Sequence, residues 1–323
     1  MKILSHTTKN PEKRRYLIAG ARKIDPAVEI DFIEPEDNVA DKLEKAEIFL
    51  TYDFERDWWT GEKYLRWVHI GGSGVNHIRF PELLESGVII TNSRGIHART
   101  MAEYTFAALL YFAQRFNLAE EWRRSRDWRH YKSEMTRASF TLRGKNLGII
   151  GAGQIGSAIG KMGKALEMNT FGIVKSAKPQ PDWADRWGGK EALEELLRWA
   201  DFIVLTLPGT VDSLGLIGER EIGLMKPSAY IVNISRGGIV EEDVLIKALN
   251  EGKIAGACLD VFATEPLPED SPLFTTKNLL ITPHIAGNYP DYTIDVLDLF
   301  LENFRRYSAG ETLLNLVDLK RGY

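Results

Sequence analysis

The chain has 323 residues, enough for two cores, and its 44% hydrophobic content can fill both. Its 41 Lys and Arg nearly cancel its 45 Asp and Glu, leaving a net charge of −4 and no bulk field to gather nucleic acid or anionic lipid. The single cysteine, Cys258, has no partner for a disulfide or a metal cluster. The charged opening from Met1 to Arg15 lacks the apolar stretch of an export signal, so a reducing, cytoplasmic setting is expected.

In chain order, short apolar runs alternate with helical patterns. Lys2 to Leu4, Val28 to Ile33, Glu47 to Thr51, Trp67 to Ile70 and Gly87 to Thr91 read as strands, with a charged helix near Pro11 to Lys23 and charged segments that suit outer helices before the later strands. None of the turns between them carries a phosphate-cradling glycine pattern. A helix over Thr100 to Arg115 follows, apolar on most faces; its longest apolar run, Tyr104 to Ala113, falls short of the roughly twenty residues that span a bilayer. A second series of strands then appears: Asn146 to Ile150, Thr170 to Val174, Asp201 to Leu205, Ala229 to Asn233, Ile254 to Asp260 and Leu279 to Thr282. The tail from Tyr292 to Tyr307 has helical periodicity and is expected to return to the first domain. The reading is an α/β protein of two Rossmann-like or flavodoxin-like domains with parallel sheets, the second a complete dinucleotide-binding fold. Residues 1–98 with 291–323 are assigned to a substrate-binding domain and 99–290 to the dinucleotide-binding domain.

The apolar strand ending at Ile150 runs directly into Gly151-Ala-Gly-Gln-Ile-Gly156, which opens a helical pattern. In that context Gly151 permits a tight turn, Gly153 a close approach to a pyrophosphate, and Gly156 close packing of helix on strand; the helix N-terminus, with Gln154 and Ile155, supplies N–H donors. NAD-selective sites place Asp or Glu at the end of the next strand, to accept from the ribose 2′-hydroxyl. Here the counted position is Val174, followed by Lys175, Ser176 and Lys178, which suits a 2′-phosphate, so NADP is favoured over NAD.

Arg236, Glu265 and His284 each stand just beyond a late strand, at the end of the sheet where open α/β folds bind ligands. Reduction of a 2-keto acid needs a proton donor for the carbonyl oxygen and a cation for the carboxylate, and this trio supplies both. No His, Cys and carboxylate cluster has metal spacing, and no metal is expected. His6, His69, His77, His97 and His130 lack catalytic neighbours and read as structural.

Gly151 to Gly156, Leu207-Pro-Gly-Thr210, Met225-Lys-Pro227, Asn233 to Gly238, Leu259 to Phe262, Glu265-Pro-Leu-Pro268 and Thr282 to Ala286 occur in order. With Trp67 to Ile78, Thr91 to Glu103 and Asn315 to Asp318, they make the chain resemble the D-isomer-specific 2-hydroxyacid dehydrogenase family over most of its length. The resemblance implies an NAD(P)-dependent oxidoreductase acting on a small 2-keto or 2-hydroxy acid, with glyoxylate or hydroxypyruvate as the expected type. It implies that His284 is the acid/base, that Glu265 orients and charges it, and that Arg236 binds substrate. The Ser73 and Gly74 N–H groups are implied to hold the substrate carboxylate. Leu207, Pro208, Ser213, Ile234, Asp260 and Thr100 are implied to lie near the cofactor.

Two positions depart from the family pattern: Val174, and Asn76 where Asp is common. The basic and aromatic stretch from Trp122 to His130 matches the part of the family that forms a homodimer, with Trp128 as a lining residue; this is preferred to nucleic-acid binding. Alternatives are a nucleotide-sensing, corepressor-like binding protein and a phosphoglycerate dehydrogenase-type enzyme. A formate dehydrogenase is disfavoured because that version has Gln where this chain has Glu265.

Overall fold

A computed structural model describes residues 1–59, 61, 63–75, 78–175 and 179–319. The chain divides into two compact units, one from Met1 to Ile96 together with the stretch from Tyr289 onward, the other from His97 to Asn288.

In the first unit five strands, β1 (Lys2–His6), β2 (Glu29–Phe32), β3 (Ile48–Thr51), β4 (Trp67–Ile70) and β5 (Ile89–Asn92), form one parallel sheet in the order β2-β1-β3-β4-β5. That order is the flavodoxin-like one. Side chains alternate between its faces. Ile3, Ile48, Leu50 and Trp67 face α1 (Pro11–Ile24) and α11 (Tyr292–Ser308), while Leu4, Phe49 and Val68 pack on the opposite side with Phe54, Leu43 of α2 (Val39–Leu43) and Leu83 of α3 (Pro81–Glu85). Helix α11 thus packs in the unit that holds the amino terminus, as its periodicity suggested: Val296, Leu297, Phe300 and Phe304 are fully buried there, and Trp67 stacks on Phe300. Helix α1 is itself fixed at its start by the cap Asn10, whose side chain accepts from the N–H groups of Glu12 and Lys13. Between β3 and β4 the expected outer helix is replaced by one 3₁₀ turn, Arg56–Trp58. Its aromatic neighbours Trp58 and Trp59 pack on the core instead.

The second unit holds seven parallel strands, ordered β12-β11-β10-β9-β6-β7-β8. They are β6 (Asn146–Ile150), β7 (Asn169–Ile173), β8 (Arg186–Gly188), β9 (Phe202–Leu205), β10 (Tyr230–Asn233), β11 (Gly256–Leu259) and β12 (Leu279–Ile281). Six match the sequence reading; the edge strand β8 was not expected. Helices α4 (Ala98–Ala113) and α7 (Gln154–Ala165) cover one face through Phe106, Leu109, Phe112 and Ile159. Helices α8 (Leu193–Trp199), α9 (Glu219–Leu224) and α10 (Glu242–Asn250) cover the other through Leu196, Leu197, Ile222, Leu245 and Leu249. Burial on both faces explains why these strands are nearly continuous apolar runs. The chain reverses its direction of growth across the sheet between β6 and β9, which places a ligand crevice at the carboxyl ends of those strands. No helix among the described residues is long and apolar enough to cross a membrane.

Candidate active site

The loop from β6 to α7 meets its glycine requirements in three different ways. Gly151 has φ +98°, and a Cβ there would lie 2.8 Å from the Thr206 carbonyl carbon, so only glycine fits the turn. At Gly156 a Cβ would approach Ile149 to 2.9 Å, because the helix sits directly on the strand. Gly153 is not demanded by the protein's own packing, since its nearest neighbour would be the Gly151 oxygen at 3.9 Å. A side chain there would instead fill the space above the helix N-terminus, which is where a pyrophosphate needs room. The residues present therefore fit a dinucleotide.

Thr206, just past β9, donates its hydroxyl to the Gly151 carbonyl at 2.7 Å and pins the loop across the strand-order reversal. Gln154 is exposed and Ile155 half-buried on the first turn of α7. Leu207 and Pro208 follow Thr206, and the nearly buried Ser213 shapes their loop: its hydroxyl accepts from the Thr210 N–H at 2.9 Å and donates to the Pro208 carbonyl at 2.8 Å. Ile234 is buried beyond β10, and Thr100 is half-buried in the first turn of α4.

Beyond β7 the structure refines the count made from the glycine loop. Val174 is 8% exposed, donates its N–H to the Gly188 carbonyl and belongs to the core, so the counted position is a packed one. The exposed side chain is Lys175, which forms a 2.8 Å ion pair with Asp212. The Lys175 hydrogen bond and charge hold the Asp212 carboxyl below its ordinary range. Asp212 escaped notice in the sequence because the two loops are brought together only by the sheet. Ser176 and Lys178 lie outside the described residues.

Strands β10, β11 and β12 are neighbours in the sheet, so the loops that follow them carry Arg236, Glu265 and His284 side by side. Glu265 Oε2 lies 2.7 Å from His284 Nδ1, and Glu265 Oε1 accepts from the Phe262 N–H at 2.9 Å. Partial burial pushes the Glu265 carboxyl upward. The hydrogen bonds from His284 and Phe262 and the charges of His284 and Arg236 outweigh it, leaving the group below the usual carboxylate range and ionised. Arg236 is exposed, with Nη1 donating to the Ser235 carbonyl at 2.6 Å. Its stem lies against Gly209, where a Cβ would come within 3.0 Å of it. His97, at the start of α4, has its Nδ1 3.0 Å from the Gly287 carbonyl oxygen; burial lowers its pKa, and the charge of Arg236 lowers it further.

His284 itself has φ +53°, a left-handed conformation uncommon outside glycine. The buried Asp260 holds this backbone. Its Oδ1 accepts from the Thr282 hydroxyl at 2.5 Å and the Ile285 N–H at 2.8 Å, and its Oδ2 from the Ala286 N–H at 2.8 Å. Tyr104 of α4 extends the network, with its hydroxyl 2.5 Å from that of Thr282 and 3.4 Å from Cys258 Sγ. Burial pushes the Tyr104 phenol strongly upward and the Cys258 thiol up to about 12, so both stay protonated. The sequence named Asp260 as a cofactor neighbour; that it braces the His284 loop was not legible, and Tyr104 and Thr282 were not singled out.

Ser73 and Gly74 lie in the first unit, in the half-buried loop that follows β4, while Asn76 and His77 fall outside the described residues. Among the described residues no group of three or more His, Cys, Asp or Glu is arranged to hold a metal ion.

Residues 106–286 match the family model described as D-isomer specific 2-hydroxyacid dehydrogenase, NAD binding domain. A glyoxylate reductase from Thermococcus litoralis is 37% identical over 252 residues, covering 76% of this chain and 74% of its own length. Among solved structures, a D-isomer specific 2-hydroxyacid dehydrogenase family protein from Aeromonas salmonicida superposes with a TM-score of 0.82 at 29% identity, covering 98% of this chain and 99% of the other. One from Xanthobacter autotrophicus, solved in complex with NADPH and MES, gives a TM-score of 0.82 at 26% identity over 100% and 99% of the two chains. The glycine loop, the neighbouring Arg, Glu and His, and these likenesses agree: the chain belongs to the D-isomer-specific 2-hydroxyacid dehydrogenase family and is an NAD(P)-dependent 2-hydroxyacid oxidoreductase.

Proposed function

We propose that the protein reduces a small 2-keto acid, of the glyoxylate or hydroxypyruvate type, to the 2-hydroxy acid, of D configuration where C2 of the product is a stereocentre, with NADPH preferred over NADH. The observation that carries this reading is the 2.7 Å pair of His284 Nδ1 and Glu265 Oε2 beside Arg236. With Nδ1 committed to Glu265, Nε2 is the ring nitrogen left to face substrate. His284 then gives its proton from Nε2 to the carbonyl oxygen as that oxygen gains negative charge, and Glu265 holds the ring in that orientation through Nδ1. Arg236 uses its remaining guanidinium N–H groups on the substrate carboxylate and carbonyl. Within the first unit, Ser73 and Gly74 are read as offering backbone N–H groups to a substrate carboxylate. When bound, the reduced nicotinamide supplies the hydride. Gly151, Gly153, Gln154, Ile155 and Gly156 would hold its pyrophosphate, with Leu207, Pro208, Ser213, Ile234, Asp260 and Thr100 around the rest.

The substrate class follows the glyoxylate reductase from Thermococcus litoralis, and the cofactor preference the exposed Lys175 together with the absence of an acid at Val174. On this reading residues 1–98 with 291–323 are the substrate-binding domain and 99–290 the dinucleotide-binding domain. The protein works in the cytoplasm as a homodimer, and the exposed Trp128 on α6 (Trp128–Ala138), which packs edge-on against Trp122 of α5 (Phe116–Ser125), supports an association surface there.

Steady-state oxidation of NADPH and of NADH against a panel of small keto acids tests the proposal. Turnover with glyoxylate or hydroxypyruvate and a higher kcat/KM with NADPH are expected; no turnover with any keto acid contradicts the function, and a preference for NADH contradicts the cofactor reading. Lys175→Ala is expected to cost NADPH several-fold in kcat/KM while leaving NADH unchanged. Asp212→Asn is expected to do the opposite, because it frees Lys175 for the 2′-phosphate. These effects stay small, since the exposed pair is screened by solvent and salt.

A further inference from the structure

Two consecutive peptide planes of the loop after β4 are gripped by one corner of the first unit. Asn92, the last residue of β5, is 1% exposed; its Nδ2 donates to the Ser73 carbonyl at 2.8 Å, and its Oδ1 accepts from the Arg94 N–H at 3.2 Å. The next residue, Ser93, is fully buried, and its N–H is shared between the carbonyls of Ile70 and Gly72, each at 3.0 Å. A trans peptide carries its C=O and N–H on opposite edges of one plane. Holding the Ser73 oxygen therefore sets the direction of the Gly74 N–H, and holding the Gly72 oxygen sets that of the Ser73 N–H. Among the described residues neither of these N–H groups has an acceptor, although an unmet donor is costly in a half-buried loop.

The corner itself is firmly built. Asn315 Nδ2 donates to the carbonyls of Asn92 and Arg94, and Tyr292 of α11 donates its hydroxyl to the Gly71 carbonyl. Beneath it lies His69, whose ring nitrogens meet the hydroxyls of Thr91 and Ser93 at 2.8 and 3.1 Å. Complete burial lowers its pKa to about 3, so this support stays neutral and unchanged over any working pH. A rigid, uncharged base that fixes two donors while leaving both unused is what an anion-binding turn requires.

We propose that Asn92 and Ser93 are positioning residues, which aim the Gly74 and Ser73 N–H groups at the substrate carboxylate. The inference rests on the reading of Ser73 and Gly74 as a carboxylate site. Both are tested in the full-length enzyme with Asn92→Ala, Asn92→Asp and Gly74→Pro, by measuring KM and kcat for glyoxylate and the Kd for NADPH. Gly74→Pro deletes one N–H outright and tests the site itself. Asn92→Ala removes the anchor and is expected to raise KM about tenfold, the effect of misaligning one charge-assisted hydrogen bond. Its kcat should move less than threefold, its Kd for NADPH should be unchanged, and the KM effect should be the same at every pH. Asn92→Asp keeps the side chain's size and its Arg94 contact but faces the Ser73 oxygen with another oxygen, so its KM should rise further; it decides the matter should the Ala variant fail to fold. If Gly74→Pro raises KM while an Asn92 variant that binds NADPH keeps the wild-type KM, the positioning role is overturned and the site stands. If Gly74→Pro also keeps the wild-type KM, the site falls and the proposal with it.

Discussion

Replacing His284 with Gln is expected to lower kcat for keto-acid reduction by about 10²–10⁴-fold, the usual worth of a positioned proton donor. Gln keeps a similar length and a hydrogen-bonding end, so the loop behind it should hold, but it carries no transferable proton at working pH. The glycine loop proposed to hold the cofactor pyrophosphate follows β6, beyond β11, β10 and β9 in the sheet order from the loop after β12, so the Kd for NADPH should stay within about twofold of wild type. A kcat near the wild-type value would remove His284 from proton transfer. Equal loss of kcat and of NADPH binding would point instead to a collapsed loop. The partner carboxyl sets the direction of the acid-side behaviour. Glu265 is held below its ordinary range, so its charge, and the pairing it sustains, are present at neutral pH. They are lost only as the pH falls through that lowered value.

Arg236→Lys should cost about ten- to a hundredfold in kcat/KM for keto acids, with KM raised and kcat lowered together. The positive charge survives, so the loss isolates geometry: a guanidinium presents several N–H groups in one plane, whereas an ammonium presents a single point of charge. Arg236 already spends Nη1 on the Ser235 carbonyl, and that bond holds the remaining N–H groups in one orientation. A Lys side chain would have no such tether, and its hydrogen bonds to a carboxylate are not paired. The magnitude follows from losing one charge-assisted hydrogen bond of about 1.5–3 kcal/mol. Unchanged kinetics with glyoxylate would place Arg236 outside the substrate site.

What the sequence made legible divides along physical lines. Most strands of both sheets stood out because burial on two faces leaves little room for polar side chains, as in Phe202–Leu205. Strand β8 did not, because Arg186–Gly188 is short, half-buried and at the sheet edge, where one side of the ladder is unpaired. The Arg236, Glu265 and His284 trio was legible from residue type and from position after late strands. The direct bond between the last two needed the adjacency of β11 and β12. Asp260 shows the limit more sharply: its residue type suggested a ligand contact, while its three hydrogen bonds go to the loop that carries His284. Tyr104 and Asn92 are further cases. Each acts through a hydrogen bond to a residue far along the chain, to Thr282 and to Ser73, and no local pattern records such a pairing. At Val174, counting along the loop chose a position that the alternation of the strand end turns into the core, while Lys175, named beside it, is the exposed side chain.

Reduction by this protein is tested by the configuration and amount of product formed when purified enzyme is given hydroxypyruvate and NADPH. A D-2-hydroxy acid should appear, one molecule for each NADPH oxidised over many turnovers. Formation of the L isomer would contradict the assigned stereochemistry. NADPH binding with no product would contradict catalysis itself, and would leave a protein that senses the nucleotide rather than one that uses it.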